Sequence, residues 1–207
     1  MPQEPDLTRL SAEEARRAIF VAFEGARNEA PAVVGVLTET DFIQFVCDRS
    51  LMPAAAEKDL PLLDFVDVAE VIGGRCQSEK RHLVAESAEI LSTINRLGPF
   101  DLSERCVDGL QFVSTWAAGS HPELKLRDPL KLADLLPLVS FPRASALGNQ
   151  KSAKRLRAVR TMIERKGSYE ELTGTVKGQW TKLLKHNETA CRGLQAVVAA
   201  AAADDGG

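Results

Sequence analysis

Ile19-Phe20-Val21-Ala22-Phe23-Glu24-Gly25 reads as the end of a β-strand. Side chains alternate faces along a strand, so Ala22 and Glu24 share one face while Val21 and Phe23 take the other. Gly25 follows directly and removes bulk where another backbone or a ligand can approach. Outward from this stretch, residues 18–24 form the first strand and a small, polar loop covers 25–31. Residues 32–37 make a second apolar, β-branched run. A turn over 38–41 then leads into a third strand over 42–47, and the short connection makes these two antiparallel.

Helical spacing follows over 62–76, where Leu62, Phe65, Val66, Ala69, Val71 and Ile72 gather on one side. Residues 81–85 read as a buried strand, and Ser87 as the N-cap of a helix through Asn95 that ends at Leu97-Gly98-Pro99. Further helices are expected over 103–116, 130–138, 151–166 and 176–203, the fourth-last with a Gly/Pro-rich connection after it at 119–129. In 151–166 the buried stripe is Leu156, Val159 and Ile163. Ser11-Ala12-Glu13-Glu14 has the form of a capping box for a short early helix. Three strands, a helix, a strand and then mostly helices imply an α/β domain. Its mixed sheet, an antiparallel meander plus parallel strands, is flanked by helices and has a helical C-terminal half. The expected boundaries are a lead-in over 1–17, one domain over 18–203 and a tail over 204–207.

Composition bounds the function. A chain of 207 residues with 44% hydrophobic and 27% charged content can bury a full core. No apolar run reaches the ~18 residues of a membrane span, so no membrane partner is expected. The N-terminus lacks the basic-then-apolar order of a signal peptide, which makes cytoplasm the expected compartment. Cys47, Cys76, Cys106 and Cys191 form no C-x-x-C pair and read as buried free thiols. Net charge is −3, but residues 143–186 hold 11 Lys/Arg against 3 Asp/Glu, leaving 15 basic and 26 acidic residues elsewhere. A basic section on an acidic body points either to an anionic partner or to solvated helix faces. Lys151, Lys154, Arg155, Arg157, Arg160 and Lys185 are the candidates to track a phosphate backbone, with Trp180 or Tyr169 stacking a base. On its own, Trp180 reads more readily as a core anchor.

A second stretch, His186-Asn187-Glu188-Thr189-Ala190-Cys191, places His186 and Ala190 one helical turn apart on one face, with Glu188 pointing elsewhere. An imidazole in such a place can move a proton. Read alone, the segment is a solvated helix face, and Glu24 alone is a surface residue or a buried salt-bridge partner. Between the two lies Ala85-Glu86-Ser87-Ala88-Glu89, with Glu89 in the first turn of a helix, where the dipole favours an acid.

Taken together, A-x-E on the first strand, an acid at the start of the helix after the fourth strand and H-N-E-x-x-C on a late helix resemble the DEDD group of 3′–5′ exonucleases. The likeness is to its stand-alone and RecB-associated branch, and residues 20–37 and 183–197 carry most of it. The resemblance implies a ribonuclease-H-like fold and a metal-dependent nuclease in which four acids hold two Mg²⁺ or Mn²⁺ ions. It implies catalytic and metal-binding roles for Glu24 and Glu89, a general-base role for His186, and single-stranded nucleic-acid ends as substrate. Ala22 and Ala190 stand at the other two acid positions, so impaired cutting is expected. A non-catalytic binding or protein-interaction module on the same fold is the alternative, with the long last helix as the surface for a partner or a second copy.

Overall fold

The computed structural model describes residues 10–25, 30–39, 41–122, 130–142 and 152–204. A short helix α1 (Ala12–Arg17) precedes strands β1 (Ile19–Glu24), β2 (Val33–Thr38) and β3 (Asp41–Val46). Helices α2 (Met52–Ala56) and α3 (Phe65–Ser78) lead to β4 (Leu83–Ala85), α4 (Ala88–Leu97) and β5 (Cys106–Asp108). Helices α5 (Gly109–Ser120), α6 (Leu132–Leu135), α7 (Ser152–Lys166) and α8 (Gly174–Asp204) follow. The expected capping box is present: Ser11 Oγ accepts from the Glu14 amide, and Glu14 accepts from the Ser11 amide at 2.9 Å. Leu10 and Ala15 are buried in the main core, so the described part of the expected lead-in is packed onto the domain. Residues 1–9 of that lead-in, 123–129 of the Gly/Pro-rich connection, Thr40 of the turn and 205–207 of the tail lie outside the described residues.

The sheet runs β3-β2-β1-β4-β5. β1 pairs antiparallel with β2, Ala22 opposite Gly35, and parallel with β4, Val21 opposite Ala85. The expected mixed α/β architecture is therefore present, with β1 at the centre, where antiparallel pairing gives way to parallel. Alternation along β1 sorts the core. Phe20 and Ala22 join the cluster under α5, α6 and α8, while Ile19 and Val21 join the one under α3 and α4. Each fully buried side chain of this size, such as Phe20 or Leu37, contributes about 1.5–3 kcal/mol of transfer free energy.

One expected element divides. Residues 103–116 are not one helix: a 3-10 turn at Ser103–Arg105 leads into β5, and only then does α5 begin. β5 pairs parallel with β4 over three residues, Leu83 to Cys106 through Ala85 to Asp108. Three residues are too few to show a strand period, and they lie against helix-forming sequence on the C-terminal side.

Candidate functional site

β1 and β4 run parallel, so their carboxyl ends leave the sheet side by side. Open α/β sheets gather ligands outside such ends. β1 delivers Glu24 there, facing α8 with only 4% of the residue exposed. β4 ends at Ala85, and the next residue, Glu86, enters the same cavity. α8 crosses above and supplies His186 and Ala190. His186 Nδ1 lies 2.7 Å from Glu24 Oε1, a contact between residues 162 apart in the chain. The carboxylate can only accept, so Nδ1 donates, which leaves Nε2 as the ring atom able to take a proton. The cavity, about 390 Å³, is lined by Ala22, Glu24, Glu86, Lys131, His186 and Ala190 among others.

Asn187 fixes this crossing and is fully buried. Its Nδ2 donates to the Ala22 carbonyl at 2.9 Å, and its Oδ1 accepts from Gln44 Nε2 at 2.9 Å. Gln44 also donates to the Leu184 carbonyl at 3.0 Å. One amide thus ties α8 to β1 and β3, and it sits over Gly35 of β2, where a Cβ would come within 2.3 Å of Oδ1. With Asn187 seated, its neighbour His186 meets Glu24. Cys191, one turn further on, is buried beneath the site. Burial pushes its thiol up, and the charges of Glu24 and Glu86 push it further, so it is an inert core group. Burial likewise raises the thiols of Cys47 and Cys76 to about 12 and that of Cys106 to about 11.

Of the sequence-derived candidates, Glu24, His186, Ala22 and Ala190 come together on one cavity. Glu89 does not line it. It is exposed on the first turn of α4, where its carbonyl accepts from the Ser92 and Thr93 hydroxyls. The acid that the end of β4 brings to the cavity is Glu86, three residues earlier, because the chain turns into α4 immediately afterwards. Glu188 points away from the site, paired at 2.9 Å with both Lys185 and Arg192. Reading Glu86, Asn187 and Lys131 as site residues required the strand register and the helix crossing. The local clue to Asn187 was an amide on the apolar face of α8, in line with Leu183, Cys191 and Leu194.

The basic candidates separate by exposure. Lys154, Arg157 and Lys185 are exposed, while Lys151 lies outside the described residues. Arg155 is 3% exposed and shares the inward face of α7 with Leu156 and Val159, so it cannot track a phosphate backbone at the surface. Arg160 is ion-paired with Asp48. Neither aromatic is available for stacking: Trp180 is fully buried and donates to the Ala54 carbonyl at 3.1 Å, and Tyr169 is buried in the same cluster. The Ala-rich end of α8 is also used internally, with Val197, Val198, Ala201 and Ala202 in the core beside α1 and α5. No helix among the described residues is long and apolar enough to cross a membrane.

Two divalent cations need several hard oxygen donors. The cavity offers the carboxylates of Glu24 and Glu86, but Ala22 and Ala190 present methyl groups, which coordinate nothing. Among the described residues, those lining the cavity do not fit a two-cation centre. No protein-family model, curated protein or solved structure matches the chain.

Proposed function

We propose that the chain is a 3′–5′ exonuclease-like, nucleic-acid-processing domain on a ribonuclease-H-like fold, with its cutting site disabled by Ala22 and Ala190. The observation that carries this reading is the convergence of Glu24, Glu86, His186 and the two alanines on one cavity at the carboxyl ends of β1 and β4. The Glu24–His186 contact by itself also suits a buried structural pair; its place on a cavity beside Glu86 and the two alanines, at the carboxyl ends of β1 and β4, is what supports a site. The alanines occupy the places where two more carboxylates would complete an acidic centre for Mg²⁺ or Mn²⁺. The buried Glu24 carboxylate orients the His186 ring and leaves Nε2 as a proton acceptor.

The test restores the missing acids. The double variant Ala22→Asp/Ala190→Asp is expected to degrade a labelled single-stranded DNA or RNA oligonucleotide when Mn²⁺ is added, where the parent chain does not. A restored protein that is folded by circular dichroism and still inert on both polymers would sink the enzymatic reading.

As written, the chain is then a module that holds a strand end without cutting it. Support for this second behaviour comes from Lys154 and Arg157, exposed on α7, whose first residue Ser152 lines the cavity. Strand binding should weaken steeply with salt and drop in Lys154→Glu/Arg157→Glu. Affinity indifferent to salt argues for an uncharged partner instead.

A further inference from the structure

We infer that the cavity contains a phosphate subsite built on Lys131, an inference that rests on the nuclease-type reading above. Lys131 sits at the N-cap of α6 and lines the same cavity as Glu24, Glu86 and His186. Its side chain is exposed and has neither an ion-pair nor a hydrogen-bond partner among the described residues. The two α8 cations on either side of His186 and Ala190 are engaged: Lys185 and Arg192 both pair with Glu188, and Arg192 also lies over the Phe42 ring. Lys131 is therefore a cation left uncommitted at the cavity wall.

The charges of that wall decide where an anion can sit. Among the described lining residues, Ala22 and Ala190 present methyl groups and Glu24 a carboxylate that repels a phosphate, so the β1 side of the cavity offers an anion nothing. The favourable place is the α6 side, beside the Lys131 ammonium. There Ser152 adds a hydroxyl at the first turn of α7, the end of the helix where the dipole carries positive potential. The chemical class that fits is a phosphodiester of a single strand, its phosphate on Lys131 and its sugar-base portion towards the acids.

The experiment measures binding of a fluorescein-labelled oligothymidylate by anisotropy across a salt series, for the parent chain, Lys131→Ala and Lys131→Arg. A phosphate contact on a single strand contributes about 0.7 to the slope of log affinity against log salt. Lys131→Ala should therefore flatten the slope by about that amount and weaken low-salt binding roughly fivefold, while Lys131→Arg keeps the parent slope. Circular dichroism verifies that the exposed substitutions leave the fold intact. A parent chain that binds no strand, while the restored Ala22→Asp/Ala190→Asp chain degrades it, overturns the subsite and leaves the nuclease-type reading standing. A strand-binding protein whose slope ignores Lys131→Ala overturns the subsite and leaves the nuclease-type reading standing. A parent that binds no strand, together with an inert restored variant, removes that reading and the subsite with it.

Discussion

Asn187 reaches the sheet only because Gly35 has no side chain. A Cβ on Gly35 would stand 2.3 Å from Asn187 Oδ1 and 3.1 Å from Phe42 Cε2. The amide cannot simply swing aside, since both its ends are bonded, to the Ala22 carbonyl and to Gln44. Gly35→Ala should therefore cost about 2–3 kcal/mol, the sum of overpacking and a disrupted buried amide. Urea unfolding would report it as a lower midpoint at unchanged slope. Asn187→Ala also destabilises, by leaving the Ala22 carbonyl short of a donor. In that background, however, the main obstacle to a methyl at residue 35 is gone. The two substitutions should then be less than additive by about 1 kcal/mol or more, as expected of residues in contact. Strict additivity would mean that Gly35 is there for some reason other than Asn187.

At the scale of elements, Asp108 does two jobs where β5 turns into α5. Its Oδ1 accepts from the Gln111 amide at 3.0 Å, capping α5, and its Oδ2 accepts from the Ala88 amide at 2.8 Å, capping α4. Ser87 holds the N-cap position of α4, yet its side chain makes no capping bond. Asp108→Ala should cost about 2 kcal/mol, roughly two caps, whereas Ser87→Ala should change stability by only about 0.5 kcal/mol or less. Equal effects on the unfolding midpoint would refute this division of labour. The same corner marks where the sequence stops being readable. β1, β2 and β3 are legible because six residues suffice to show alternation or a β-branched run, and the stripe of α7 because Leu156, Val159 and Ile163 repeat at helical spacing. β5 spans three residues and has no period to see, so Ser87 looked like the cap that Asp108 supplies. Glu86 and Glu89 are also inseparable by local pattern: which one faces the cavity depends on where β4 ends against β1. Arg155 was legible after all. It lies four residues before Val159, on the same inward face.

Across the whole molecule, the third buried cluster joins β2 and the end of β3 to α7 and α8 through Val33, Val46, Leu156, Val159, Trp180 and Leu183. It fixes the α7 side of the cavity, where Ser152 begins the helix. An ion pair at its edge links Arg160 of α7 to Asp48, which also accepts from the Ser50 amide at 2.9 Å and the Ser50 hydroxyl at 2.7 Å. Burial pushes the Asp48 carboxyl up, but the bonds from Ser50 and Arg160 together outweigh it and hold the group below its ordinary range. A carboxyl lowered by folding stabilises the native state fully above its unfolded pKa of about 3.9, and that contribution is lost as pH falls through the lower, folded value. Asp48→Asn should therefore destabilise the protein by about 1–3 kcal/mol at neutral pH, because it removes the carboxylate that pairs with Arg160 and accepts from Ser50. The gap between parent and variant should narrow as the pH falls below about 4, where the parent's own carboxyl begins to protonate. Urea unfolding of both proteins over an acid series measures it. A gap that stays constant down to the acid limit would show that Asp48 holds α7 by packing and not by charge.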